Sequence, residues 1–158
     1  MSKKDYFSSH SKLYATFRPT YPEALYHFIF KHLQARSIAW DCATGNGQVA
    51  QYLSAHFDKV LATDISQQQL DNAFRAKNIL YSINEAEKTE FPDHSIDLIT
   101  VAQALHWFTI EDFYIEVSRV AKPGALLAIW GYNVLSISPE VDKIIEDFYR
   151  NTTGPYWD

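Results

Sequence analysis

The sequence predicts an α/β domain: an open, mostly parallel sheet flanked by helices. Segments with strand-like and helix-like apolar spacing alternate along the chain, a glycine loop joins the first strand to the helix after it, and short apolar runs stand where buried strands would lie. With 158 residues, 47% of them hydrophobic and 21% charged, the chain suits one domain with a substantial core.

The elements follow in order. Thr20-x-x-Glu23 with Pro22 between reads as a capped helix start, and Leu25, Phe28, Ile29 and Leu33 continue it over about 22–35. Ser37 to Asp41 holds the short apolar run of a first strand. Gly45 to Phe57 then changes to a helical period through Val49, Tyr52, Leu53 and Phe57. Lys59–Asp64 is the second strand, Ser66-x-x-Gln69 caps a helix carrying Leu70 and Ala73, and Ile79–Ile83 is the third strand. Pro92-Asp93-His94-Ser95 is turn chemistry before a fourth strand, Ile96–Val101. Thr109 starts a helix on Phe113, Tyr114, Val117 and Val120. Lys122-Pro123-Gly124 stops it, and Ala125–Trp130 is the fifth strand. Ser138-Pro139 opens a last helix with Val141, Ile144, Ile145 and Phe148 on one face.

Composition narrows the partners. A net charge of −5, with no concentrated basic footprint, argues against nucleic acid and anionic membrane surfaces. A single cysteine, Cys42, forms no internal disulfide, and the His and Cys spacing offers no metal site. Neither a leader-like apolar stretch behind Met1 nor a bilayer-length apolar run is present, so a cytoplasmic protein is expected.

In a parallel sheet the ligand lies outside the carboxyl ends of the strands, where Asp41, Asp64, Glu85 and Gln103 fall. Gly45 and Gly47 let backbone approach a ligand closely, and with Ala50 they satisfy G-x-G-x-x-A. Asp64, about twenty residues on, stands where an acid binds ribose hydroxyls. A nicotinamide dinucleotide would fit these features. Asp41 separates the alternatives, because a carboxylate just ahead of the loop repels a pyrophosphate and favours a cationic ligand without phosphate. S-adenosylmethionine, with its sulfonium and ammonium groups, is such a ligand.

Asp41-Cys42-Ala43-Thr44-Gly45-Asn46-Gly47 resembles the D/E-x-G-x-G-x-G signature of the class I, Rossmann-like S-adenosylmethionine-dependent methyltransferases, with Ala43 in place of the first glycine. Ala62–Ser66, Asn84–Glu87, Phe91–Ile99 and Lys122-Pro123-Gly124 extend the likeness in order and spacing. Gln103–Phe108 and the opening Tyr14-x-x-Phe17-Arg18-Pro19-x-Tyr21-Pro22 are similar to the small-molecule branch that includes trans-aconitate methyltransferase-like proteins. The resemblance implies a cofactor site of Arg18, Asp41, Ala43, Gly45, Gly47, Asp64, Ile65, Glu85, Ala86 and Gln103. Within it Asp64 would hold the ribose, Glu85 and Ala86 the adenine, and Asp41 and Gln103 the methionine end, with Arg18 on its carboxylate. The product would be S-adenosylhomocysteine, and the partner a small-molecule methyl acceptor such as a carboxylic acid.

Each assignment has a plainer counterpart. Asp64 would serve equally as a helix-capping acid beside Ser66, Glu85 as an exposed loop acid, and Arg18 as a brace stacked on Tyr14, Phe17 and Tyr21. His106 could act as a catalytic base. Otherwise His106 and Trp107 wall a substrate pocket with Tyr21 and Trp130. Three segments are expected: an amino-terminal cap over 1–36, a cofactor-binding core over 37–135, and a terminal helix over 136–158. Relative to the resembled family the sheet is expected to lack its last two strands. That leaves an open edge able to pair with a second copy, and with it the alternative of a cofactor-binding fragment without catalytic activity. A nicotinamide-binding dehydrogenase domain is the remaining alternative.

Overall fold

In the computed structural model, residues 20–132 and 136–156 are described. Five strands run parallel in the order β3-β2-β1-β4-β5: β1 is Ile38–Cys42, β2 Lys59–Asp64, β3 Ile79–Ile83, β4 Ile96–Ala102 and β5 Ala121–Trp130. The helices are α1 (Glu23–Phe30), α2 (Gln48–Ser54), α3 (Gln67–Asp71), α4 (Ile110–Val120) and α5 (Pro139–Asp147). The chain order reverses between β1 and β4, which opens a crevice at their carboxyl ends.

Strand periodicity divides the core between the two faces. Ala39, Val60, Ala62 and Leu98 pack with Tyr26, Ile29 and Phe30 of α1 and with Val49 and Leu53 of α2. Trp40, Cys42, Leu61, Ile99 and Val101 point the other way, against Phe113, Val117 and Val120 of α4. Trp40 is fully buried, and its indole N–H donates to the Thr63 hydroxyl at 2.9 Å, so the largest core side chain has its polar atom satisfied.

Local chemistry moves several boundaries from those expected. α1 takes Pro22 as its N-cap with no side-chain cap, so the Thr20–Glu23 box does not form, and the helix ends at Phe30 rather than near 35. α2 begins only at Gln48, because Gly45 and Gly47 both adopt left-handed backbone that a helix cannot include. In α3 the Ser66 hydroxyl accepts from the Gln69 amide, as its spacing predicts.

β5 starts four residues before the expected Ala125. Pro123 disfavours helical backbone at Lys122, so the chain turns extended directly after Val120 and Ala121 pairs with Ile96. The register then jumps to Leu98–Leu126, and the intervening residues bulge, with Gly124 at φ +81°. Opposite the bulge, the Asp97 carboxylate accepts from the amides of Ser37 (3.0 Å) and Ile38 (2.8 Å) and from the Lys122 ammonium (2.8 Å). Burial presses this carboxyl upward, but the ammonium and the amides outweigh it and hold it below the ordinary range. The entry of β1 is thereby tied to β4 and β5.

α5 begins where expected, with the Ser138 hydroxyl accepting from the Val141 amide. Its apolar side remains exposed, with Ile144 at 70% and Phe148 at 58%. Among the described residues β5 pairs only with β4, so its other edge is open. No helix among the described residues is long and apolar enough to cross a membrane.

Candidate functional site

The loop after β1 alternates in handedness. Ala43, Gly45 and Gly47 have φ of +54°, +57° and +81°, and Gln103, ending β4 beside it, has φ +58°. Such backbone is costly for a residue with a Cβ, and left-handed non-glycine residues cluster at functional sites. Ala43 occupies the position where the resembled signature has its first glycine, and the left-handed conformation shows why glycine suits it. Ala43→Gly is expected to raise stability by about 0.5–1 kcal/mol, the relief of left-handed strain less the extra unfolded-state entropy. Urea unfolding of the two proteins checks this, and a loss of stability would show that Ala43 is unstrained.

Hydrogen bonds to two acids hold the loop. Asp41 is 1% exposed and accepts from the Thr44 hydroxyl (2.5 Å), the Ala50 amide (3.1 Å) and the Thr100 hydroxyl (2.9 Å). No cation faces it. Burial pushes its carboxyl up to about 6; the three donors restrain that rise, and the Asp64 charge adds to it. Asp64, at the end of β2, accepts from the amides of Gly45 (2.8 Å) and Ser66 (2.9 Å), so one acid anchors both the loop and the start of α3. The Thr44 amide donates to the Thr63 carbonyl, and the Gly47 amide to the Thr44 carbonyl, which closes the turn.

A third support comes from β3. The Tyr81 hydroxyl donates to the Phe74 carbonyl at 2.6 Å, the Phe74 amide donates to the Asn46 carbonyl at 3.2 Å, and the Arg75 guanidinium lies 4.9 Å over the Tyr81 ring. A side chain at residue 47 would run into the Tyr81 hydroxyl.

Between the loop and the end of β4 lies a small pocket, partly open to solvent and lined by residues including Tyr21, Asp41, Ala43, Thr44, Gln48 and Ala102. No Lys or Arg lines it among the described residues. The Tyr21 ring meets Trp130 edge-on at 5.5 Å, which brings the end of β5 beside the pocket without lining it. Acceptors without basic partners suit a ligand that carries positive charge and no phosphate. The side-chain carbonyl oxygen of Gln48, another lining residue, is buried and has no hydrogen-bond partner among the described residues.

The remaining expected residues are more scattered. Ile65 is exposed beside Asp64. Glu85 is exposed and paired by a backbone bridge to Lys88, while Ala86 is buried in the α4-side core, so any contact it makes with a ligand would come from its backbone. Gln103 reaches Tyr132, its side-chain nitrogen donating to that carbonyl at 3.4 Å. His106 and Trp107 form an exposed 3-10 turn after β4, their rings 4.8 Å apart, and do not line the pocket. Arg18 lies outside the described residues.

Sequence reasoning passed over Thr44, Gln48, Tyr81 and Thr100. Thr100 left a signal, a hydroxyl within the apolar run that follows Asp97 in a central strand. Tyr81 left none, because its role depends on β3 lying beyond β2 and level with the loop.

Fold and loop together define an α/β domain with a glycine loop at the reversal point of its sheet, where such sheets take their ligands. A model of the methyltransferase domain matches residues 40–129, and the chain belongs to that family of class I S-adenosylmethionine-dependent methyltransferases. This sets aside the dehydrogenase alternative. A Dictyostelium discoideum protein that bears a methyltransferase name is 41% identical over 157 residues, 97% of this chain and 60% of its own. A solved Anaeromyxobacter dehalogenans structure, described as a type II methyltransferase, is 37% identical with a TM-score of 0.78, covering 90% of this chain and 60% of that one. A Haemonchus contortus phosphoethanolamine N-methyltransferase, solved with S-adenosylhomocysteine, shares the fold at 18% identity and a TM-score of 0.67, over 89% of this chain and 37% of that one. The chain thus spans about 60% of the length of the first two.

Proposed function

We propose that the site binds S-adenosylmethionine and transfers its methyl group to a small-molecule acceptor, a carboxylic acid by the likeness to trans-aconitate methyltransferase-like proteins. The observation that carries this reading is the buried Asp41 carboxylate, which has no cationic hydrogen-bond partner among the described residues, on a pocket that no described Lys or Arg lines. Asp64 stands at the end of β2 for the ribose, with Ile65 beside it and Glu85 and Ala86 on the adenine side. Gly45 and Gly47 keep the loop low enough for close approach. Gln103 and Arg18 are assigned to the methionine end.

When bound, the cofactor supplies an already activated methyl group, so the chain's own work is alignment and exclusion of water. Tyr21 and Trp130 form an aromatic wall beside the pocket. Trp107 and His106 stand on the turn after β4, where acceptor would enter. A carboxylate acceptor needs no base, and His106 then shapes the entrance; for a hydroxyl acceptor His106 is the one we assign to take the proton. The protein would act in the cytoplasm, and two copies could pair through the free edge of β5.

Isothermal calorimetry tests the reading. S-adenosylhomocysteine is expected to bind with micromolar affinity and NAD to give no heat; the reverse pattern would sink the proposal. The exposed apolar side of α5 and the open edge of β5 favour a second reading, binding without turnover. Methyl transfer to any acceptor by the purified 158-residue protein would reject it.

A further inference from the structure

A polar atom of Gln48, one of the residues that line the pocket, is at odds with ordinary packing. The side-chain carbonyl oxygen of Gln48, Oε1, is buried and has no hydrogen-bond partner among the described residues. Folds rarely leave a buried acceptor unpaired, and such an atom calls for a partner, an ordered water or a ligand group. Gln48 is the first residue of α2, and left-handed Gly47 before it sets its direction.

Asp41, the acid that the family resemblance assigns to the methionine end, is differently placed. Both its oxygens already accept from Thr44, Ala50 and Thr100, and it is almost wholly enclosed. An ammonium group has three donors and no acceptor, so it needs oxygen atoms that are still available. Resting on the function proposed above, we infer that Gln48 is the specificity residue for the amino-acid end of the cofactor, its Oε1 accepting from the ammonium group, with Asp41 behind it as a buried counter-charge. A neutral oxygen is suited to the place, because a second carboxylate beside Asp41 and Asp64 would add repulsion to an already acidic loop.

Calorimetric titration with two nucleosides tests this without any turnover. S-adenosylhomocysteine carries the amino-acid end, and 5′-methylthioadenosine has the same adenosine and thioether without it. Gln48→Leu is expected to weaken S-adenosylhomocysteine roughly tenfold or more, the usual effect of losing a hydrogen bond to a charged group, and to leave methylthioadenosine within about twofold. Gln48→Glu should keep or tighten S-adenosylhomocysteine. Without ligand, the Leu variant should unfold at the same temperature as the parent or higher, since it removes an unpaired buried oxygen.

Equal weakening of both nucleosides by Gln48→Leu would make the residue a general loop support and overturn the inference, as would no change in either. Weakening of S-adenosylhomocysteine by Gln48→Glu would place the amide nitrogen on a carboxylate and overturn it too. If the parent protein binds neither nucleoside, the proposed function fails as well. If it binds both equally, only the present inference does.

Discussion

Gly47→Ala is expected to lower stability by about 2–5 kcal/mol and to abolish measurable binding of S-adenosylhomocysteine. Two separate costs add. At φ +81° the new Cβ enters left-handed backbone, a strain of about 1–2 kcal/mol. It also meets the Tyr81 hydroxyl, which cannot swing away without giving up its bond to the Phe74 carbonyl and its place under Arg75. Overpacking of this kind costs about 1–3 kcal/mol. Tyr81→Phe in the same background separates the two, because it removes the oxygen but not the backbone strain. Urea unfolding of the double variant should recover about half the loss. No recovery would mean that backbone conformation alone makes glycine necessary at position 47.

Asp41→Asn should move stability and binding in opposite directions. The Asp41 carboxyl titrates near 6 in the folded protein and at its ordinary value of 3.8 when unfolded. A folded-state value raised in this way favours folding in full below about pH 4, and that contribution is lost as pH rises through 6. Two units correspond to about 3 kcal/mol at neutral pH, an upper figure for what the variant can regain. Asparagine can keep the network. Its oxygen can accept from Thr44 and Ala50, and its nitrogen can donate to the Thr100 hydroxyl, whose own proton has the Trp40 carbonyl at 3.4 Å.

The expected pattern is near-equal stability of parent and variant at pH 4 and a more stable variant at pH 7, read by urea unfolding at both. S-adenosylhomocysteine affinity should fall about tenfold in the variant, the size of an unscreened charge contact a few ångströms away. In the parent that affinity should decline as pH drops through 6. A variant less stable than the parent at pH 7 would show that the Asp41 charge supports the fold.

The strands, the glycine loop and both acids could be read from the sequence. They rest on local signals: apolar runs, the change from strand to helical period, and glycines next to a carboxylate. Ser66 capped its helix for the same reason, since an N-cap involves only residues three apart. The early start of β5 was less legible because Lys122-Pro123-Gly124 marks the end of a helix but not the pairing of Ala121 with Ile96 in another part of the chain. The amphipathic pattern of α5 predicted a helix correctly, but amphipathicity alone does not name what covers the apolar side, and the described residues leave it exposed.

By itself, then, the sequence determined an α/β domain with a cofactor loop and the sign of the charge it presents, because spacing and residue type act over a few positions. Tertiary structure decided which polar atoms around that loop already have partners. Thr100 and Ala50 reach Asp41 only when β4 and α2 close around β1, and Tyr81 guards Gly47 only once β3 has joined the sheet. Whether a polar atom is already satisfied depends on partners far away in the chain, and that left Gln48, rather than the more conspicuous Asp41, holding the unpaired oxygen.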